Sequence, residues 1–447
     1  MYVREKACYD ISFIVRSKDD SQLVLKSGIE QENIFSLDDG IRSLQNKEKI
    51  DYDKLNSIMD DEIPSIHNMI LGDHIVSKLP YEEAIAYTEH LVNKFESFYD
   101  YVNPSVVIGC HDGIHSSIGC AVAKANNIPW FALSFCALPI GYVAFRDRIV
   151  PDKMVCIHQQ KRQELLNFAE KTLQEFEMRT LEIPAYVSSH NVRLALMRLP
   201  NQLKKGLSIF KQTYFGGLNR YLDYDFKYLF KQFFRKKKNM LLLPKKWFLT
   251  EPPSEPFVFF GLHMQPETTI DVYAPFYSNQ FHMIELITRA MPVTHKLLVK
   301  LHKSDADNYS RHQLKKLKKL PRLELVDPNS SSRSFIENCS LLITITGNMG
   351  LEGALLGKSV IIFGKKNIEY FPNVTRVKDM TDFPALIRSK LDSEKPSRDL
   401  LVESYANYLK PYFKATSNYW KRGNISTKEK DRFKEFLQSL ETYLTNY

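Results

Sequence analysis

LLITITGNMGLEGALLGKSVIIFG, residues 341–364, is an apolar β-branched run, a glycine turn, a small-residue helix and a second apolar run. Strand, turn, helix and strand in that order are the grammar of a doubly wound α/β domain. The same beat precedes it. FVFFGL (257–262) reads as a strand, residues near 278–290 as a helix and KLLVKL (296–301) as a strand. A basic helix, the strand LELV (323–326) and a helix over SRSFIENC (332–339) follow. Near-continuous apolar strands alternating with helices imply a parallel sheet covered on both faces. In such a sheet ligands bind outside the carboxyl ends of the strands, so the residues just after each strand are where chemistry is sought.

The N-terminal part repeats the pattern less regularly. DISFIVR (10–16) and QLVLKS (22–27) read as strands, and YEEAIAYTEHLVNKFESFYDYV (81–102) as a long amphipathic helix. SVVIG (105–109), a helix over SSIGCAVAKANN (116–127) and the strand IPWFALSF (128–135) give a second strand–glycine–helix–strand unit. The proline cluster EPPSEP (251–256) is a natural boundary between the two regions. Two such domains suggest a cleft between them.

Composition narrows the class. In 447 residues, 44% are hydrophobic and 25% charged, which excludes disordered and fibrous chains. Six cysteines, at 8, 110, 120, 136, 156 and 339, form no CxxC pair and no zinc spacing. A reducing, cytosolic setting fits them better than a disulfide framework. MYVREKACYD carries charges with no apolar run behind it, so no secretory signal is expected. Residues 128–145 lack charge, but Pro129, Pro139 and Gly141 break them, and a buried strand plus a loop is expected instead of a membrane span.

The net charge of +9 is concentrated. Between Arg198 and Lys246 thirteen Lys and Arg face only Asp223 and Asp225, a local excess of +11. Leu218, Leu222, Phe226, Leu229 and Phe233 fall on one helical face there, and aromatic residues with the run Arg235–Lys238 surround it. This is the composition of an interfacial helix drawn to an anionic membrane surface, expected over 198–246. Single-stranded nucleic acid is the rival partner and a solvated inter-domain helix the bland alternative; no nucleic-acid partner is expected.

Four strand ends carry chemistry. Thr346, Gly347, Asn348 and Gly350 make the turn after LLITIT, where backbone N–H groups at a helix start favour phosphate. Glu352, one turn on, could accept hydrogen bonds from a sugar diol; alternatively the glycines only make a tight turn and Glu352 caps the helix. After FVFFGL come His263, Gln265, Glu267 and Asp271, a loop suited to orienting a polar substrate and to acid/base work, or simply a solvated helix cap. Lys300 and His302 close the next strand and could neutralise a diphosphate leaving group. In the N-terminal region His111 and Asp112 follow SVVIG and could bind an acceptor hydroxyl and take its proton, or form a plain Asp-Gly turn. The pairs Asp51/Asp53 and Asp223/Asp225 follow no apolar strand, and no metal site is expected.

With these residues in place, FVFFGLHMQPETTIDVYAPFYSNQ, LLVKLHKS and DPNSSSRSFIENCSLLITITGNMGLEGALLGKSVIIFG resemble the C-terminal half of bacterial capsular and surface-polysaccharide biosynthesis glycosyltransferases. The resemblance covers about residues 256–365 and is fainter around 104–145. It implies a GT-B fold: two Rossmann-like doubly wound domains facing a cleft, with a nucleotide-sugar donor held by the second. By position Gln265 and Glu267 match the family's Gln-Pro-Glu loop, Lys300 and His302 its Lys-x-His-Pro strand end, and Thr346, Gly347 and Glu352 its Thr-Gly…Glu helix start. Lys303 stands where the family has proline.

The implied layout is an N-terminal acceptor domain (1–190), a basic aromatic helical linker (191–250), a C-terminal nucleotide-sugar domain (251–400) and C-terminal helices (401–447). The chain opens almost directly into DISFIVR, so the first sheet is expected to start one strand late or lack a βα unit. The expected activity is metal-independent transfer of a sugar to a surface polysaccharide or its lipid-linked precursor, with the nucleotide sugar as substrate and no cofactor. Glu267, Asp112 and His111 are the catalytic candidates; Gln265, Lys300, His302, Thr346, Gly347, Asn348 and Glu352 are the donor-binding ones. The expected location is cytoplasmic, peripheral on the inner face of the cell membrane. A nucleotide-sugar epimerase of the same fold is the enzymatic alternative, and a non-catalytic, membrane-docked glycan-assembly subunit the other.

Overall fold

Ser17 turns the second expected strand into a helix. In the computed structural model, its side chain accepts a hydrogen bond from the Asp20 N–H and caps α1 (Lys18–Leu25), with Asp19 and Asp20 in the first turn. QLVLKS, expected as a strand, therefore lies largely in that helix: six residues are too few for periodicity to decide, and the cap upstream decides instead. The structure describes residues 10–26, 28–41, 44, 49–62, 64–110, 112–156, 161–181, 207–214, 216–414 and 441. They form two units, one from the residues up to Cys136 with Gly141–Gln159 and those from Pro411 on, the other from Ala137–Ile140 and Gln160–Lys410.

In the first unit β1 (Phe13–Val15) precedes α1 and pairs in parallel with β2 (Ile34–Ser36) as a two-stranded sheet. Asp51 caps α2 (Tyr52–Ser57) through the Lys54 N–H. After α3 (Ile66–Gly72), α4 spans Tyr81–Val102 as expected and ends at Asn103, whose φ of 46° is left-handed. Then β3 (Val107–Gly109), α5 (Gly113–Ala125) and β4 (Trp130–Phe135) form a parallel strand–helix–strand unit. A Cβ on Gly109 would lie 2.0 Å from the Trp130 ring, so only glycine fits beneath that indole.

The parallel pattern stops at β4. β5 (Tyr142–Asp147) pairs with it antiparallel, and β6 (Met154–Val155) pairs antiparallel with β5. The connection from β4 to β5 is only residues 136–141, too short for the dozen or so residues a parallel crossover needs. Residues 128–145, expected as one strand and a loop, are thus strand, turn and strand. No described helix is long and apolar enough to cross a membrane.

The second unit starts with α6 (Arg162–Glu177) and α7 (Phe226–Leu242). Asp225 caps α7 by accepting from the Tyr228 N–H, so the helix begins at Phe226. Leu218 and Leu222, expected on the same helical face, precede it. The edge strand β7 (Phe248–Leu249) follows, two residues that no sequence period marks.

Next come β8 (Phe257–Gly261), α8 (Thr268–Asp271), α9 (Gln280–Ala290), β9 (Lys296–Lys300), α10 (Arg311–Leu317) and β10 (Leu323–Val326). The unit continues through α11 (Ser332–Asn338), β11 (Leu341–Thr344), α12 (Met349–Leu355), β12 (Val360–Ile362) and β13 (Val374–Arg376). It closes with α13 (Phe383–Leu391) and α14 (Arg398–Leu409); β14 (Phe413–Lys414) then pairs antiparallel with β5 of the first unit's sheet.

The seven strands lie in the order β13-β12-β11-β8-β9-β10-β7, every neighbouring pair parallel. From β8 the chain winds outward through β9 and β10. It then returns to the other side of β8 and winds through β11, β12 and β13. That is the strand order of doubly wound nucleotide-binding sheets, and the α/β class holds.

Every residue of β8 is buried. Val258 and Phe260 join Ile284, Ile287, Leu297 and Ile343 in one core, while Phe259 stacks on Phe335 with ring centroids 5.5 Å apart. Gly353 lets α12 lie close on the sheet, since a Cβ there would come within 2.4 Å of Leu342 Cδ2 and 3.1 Å of Val360 Cγ2. Gly353→Val should therefore cost about 1–3 kcal/mol of stability by overpacking, visible as a lowered urea midpoint with unchanged slope.

Candidate functional site

The strand order reverses between β8 and β11. At such a switch point the loops leaving the carboxyl ends diverge and open a crevice. The diverging loops here are residues 262–267 and 345–350, which contain most of the residues picked out from the sequence.

His263 ties the two loops together. Its Nε2 accepts from the Thr346 N–H at 3.3 Å and lies 3.3 Å from the Thr344 hydroxyl, which itself accepts from the Gly347 N–H at 3.1 Å. An accepting Nε2 places the ring proton on Nδ1. Burial, reinforced by Lys366 and then His302, pulls the pKa of His263 down to about 3. Neutral His263 is thus a positioning residue. Gly347 is required beside it, because a Cβ would sit 2.6 Å from Thr344 Oγ1 and 3.3 Å from His263 Cε1.

A base whose folded-state pKa is depressed favours the unfolded chain once that chain can take up a proton. Stability contributed by neutral His263 should be complete above pH about 6.5 and fall as pH drops from there toward about 3. Urea melts of wild type and His263→Gln across that window should show the slope in wild type and a flatter one in the variant. Equal slopes would remove His263 from this role.

The turn after β11 satisfies much of its own backbone. Thr346 N–H goes to His263, Gly347 N–H to Thr344 Oγ1 and Gly350 N–H to the Gly347 carbonyl. The helix behind it, α12, has only seven residues. The helix start expected to cradle phosphate therefore has few amides to offer, and the cations around it matter more.

The 265–271 loop is similarly interlocked. Gln265 Nε2 donates to Asp271 Oδ1 at 2.6 Å and to the Ser278 carbonyl at 2.9 Å, and its Oε1 accepts from Gln280 Nε2 at 2.7 Å. Asp271 Oδ2 accepts from the Glu267 N–H at 2.9 Å, and Gln280 also bridges the His263 backbone in both directions. The Gln265 amide, expected to touch the donor, is spent on holding the loop. Glu267 occupies the cap position of α8 without a side-chain capping bond, half-buried.

Charge gathers on the neighbouring strand ends. Lys300 Nζ donates to Ser332 Oγ at 3.0 Å; burial first and Lys303 second lower its pKa, opposed by Asp327 and Glu352. His302 is also lowered, by desolvation and then by Lys300. Lys366, just past β12, donates to the Thr346 carbonyl at 2.6 Å and to Asn348 Oδ1 at 2.8 Å. Burial holds the Glu352 carboxyl above its usual range, against the pull of Arg333, Lys300 and Lys366. Burial thus disfavours both the charge of Lys300 and that of Glu352. A diphosphate against Lys300 and Lys366 would favour the charged form of Lys300, and a ribose diol could donate to the Glu352 carboxylate.

Lys366 is the second residue after the apolar run VIIFG, but its role depends on Thr346 and Asn348, which no local pattern links to it. Gln280 and Ser332 carry no local signal, since each reaches the site from a helix or turn distant in sequence.

In the first unit Asp112 is exposed at the start of α5, next to Gly113 with its φ of 82°. His111 lies outside the described residues. Behind Asp112, Asp73 Oδ1 accepts from the Ile75 and Val76 N–H groups at 2.9 Å each, and Tyr87 Oη lies 2.6 Å from His115 Nε2. Burial is the main cause that brings His115 down to about 4. Among the described residues of the chain no group of three or more His, Cys, Asp or Glu could hold a metal ion.

No protein-family model matches the chain, and no curated protein matches it. Solved structures are similar to it at low identity. The beta Kdo 2,7 transferase KpsC of Thermosulfurimonas dismutans is 10% identical, covering 77% of this chain and 89% of its own, with a TM-score of 0.36. S. aureus MnaA, solved with UDP, is 12% identical over 80% of this chain and 79% of its own, at 0.30. The Methanocaldococcus jannaschii UDP-GlcNAc 2-epimerase, in complex with UDP-GlcNAc and UDP, is 12% identical over 79% and 81%, at 0.31. The α/β class rests on the strand order itself.

Proposed function

We propose that the chain is a nucleotide-sugar-dependent glycosyltransferase of the GT-B type, passing a sugar to a surface polysaccharide or its lipid-linked precursor at the cytoplasmic face of the membrane. The observation that carries this reading is that Lys300, held by Ser332, and Lys366, held by the Thr346 carbonyl and Asn348, lie close enough to Glu352 to act on its charge, beside the switch point of a doubly wound sheet. Transfer breaks the bond from the anomeric carbon to the diphosphate oxygen and forms one to the acceptor oxygen. The bond electrons leave with the nucleoside diphosphate, and the acceptor proton goes to a base. Lysine cations at the diphosphate can stabilise the leaving charge without a metal. Glu267, Asp112 and His111 are the candidate bases, with the donor on 251–400 and the acceptor on 1–190.

A thermal-shift panel with UDP-, GDP- and CMP-sugars tests the donor half. A ligand present at a hundred times its Kd stabilises by about 2.7 kcal/mol, a rise of several degrees at most for a chain this long. One nucleotide class should raise the transition and the others should not. Indifference to all three would contradict the reading.

A further inference from the structure

We infer that α7, together with the helical segment 207–214, is a docking face for an anionic lipid bilayer. At 100° per residue, Phe226, Phe230, Phe233, Phe234, Lys237 and Leu241 fall within roughly 100° of the α7 circumference. Phe230, Phe233 and Phe234 are 54%, 56% and 54% exposed, and Leu241 79%. The aromatic surface continues onto the preceding segment: Phe210 and Phe226 have ring centroids 5.1 Å apart, and Leu207 and Tyr214 beside them are exposed. A contiguous apolar surface of this kind on a protein marks an interaction site.

The charge around it selects the partner. Lys227, Lys231 and Lys238 line one flank of the apolar arc and Lys237 stands within it, its Nζ 5.7 Å from the Phe233 ring centroid. All four are exposed, and none makes an ion pair among the described residues. Aromatic side chains with lysines at their border match the hydrocarbon boundary and the phosphate layer of an anionic leaflet.

The other side of α7 is committed to the protein. Arg235 donates to Asn308 Oδ1 at 2.7 Å and to its carbonyl at 3.2 Å, Asn239 Nδ2 to the Asp307 carbonyl at 3.0 Å, and Lys236 pairs with Asp307 at 3.2 Å. Arg235 and Lys236, expected from the sequence to meet lipid as part of a four-cation run, instead fix which way the helix faces. This inference stands independently of the glycosyl-transfer reading.

Co-sedimentation with phosphatidylcholine vesicles, with and without phosphatidylserine, tests it. Wild type should bind the serine-containing vesicles at low salt and come off them at 1 M salt, where screening shortens to about 3 Å. Replacing Lys227, Lys231, Lys237 and Lys238 with Gln should weaken that binding roughly a hundred- to thousandfold. Phe230→Ser, Phe233→Ser and Phe234→Ser combined should abolish binding to both vesicle types, with circular dichroism and melting temperature kept. Wild type that ignores phosphatidylserine vesicles, or binds both vesicle types equally, overturns the proposal. So does a dimer that the serine variant splits, because a second copy would then cover the face. The lysine variant carries the test even if the serine variant fails to fold.

Discussion

Glu352→Ala should weaken a free nucleoside diphosphate and its sugar conjugate alike, by roughly ten- to a hundredfold. The expectation follows from a carboxylate that accepts from a ribose diol, since one charge-assisted hydrogen bond contributes about 1.5–3 kcal/mol. Burial raises the pKa of Glu352, so its ionised form is lost at a higher pH than an ordinary glutamate's. Wild-type affinity should therefore fall as the pH drops into that raised range, and Glu352→Gln should remove the dependence. Lys366→Met is the companion variant: it should weaken the diphosphate and leave a nucleoside without phosphates unaffected. Calorimetry separates the two. A Glu352→Ala protein that binds nucleotide normally would move the ribose elsewhere.

Glu267→Gln should behave in the opposite way, with nucleotide affinity nearly unchanged and turnover reduced. Loss of a general base typically costs about a hundred- to ten-thousandfold in rate, the signature of an interaction made mainly in the transition state. The Glu267 N–H is held by Asp271 Oδ2, and Asp271 in turn by the Gln265 amide, contacts that an amide side chain at position 267 leaves in place. Asp112→Asn should likewise spare nucleotide binding but change the dependence on acceptor. If Glu267→Gln loses the nucleotide while Glu352→Ala keeps it, the placement of the donor is reversed.

The second unit was largely legible because its strands are buried on both faces. FVFFG, LLIT and VII are near-continuous apolar runs, KLLVK has an apolar centre and LELV is interrupted only by Glu324, and glycines mark the turns after the first, fourth and fifth strands of this set in chain order. The first unit was less so. QLVLKS was misread because a serine cap upstream outweighed its apolar residues, and the antiparallel β5 was hidden because only the length of the β4–β5 connection betrays it. At the candidate site, Lys300, His302 and Glu352 stand out in the sequence by position alone, at or shortly after strand ends. What position could not give was division of labour. Gln265 holds a loop, His263 joins two, and Lys366 supplies a cation, because each role depends on a partner far away in sequence.

The measurement that bears most directly on the proposed activity is release of nucleoside phosphate from the nucleotide sugar that the thermal-shift panel selects, followed with and without a glycan or lipid-linked acceptor. A glycosyltransferase should release nucleoside phosphate slowly alone and faster with acceptor, and Glu267→Gln should abolish the acceptor-dependent part. Conversion of the donor sugar without any acceptor would make the chain an epimerase. Tight nucleotide binding with no turnover under either condition would leave it a binding subunit, and either result would contradict the account.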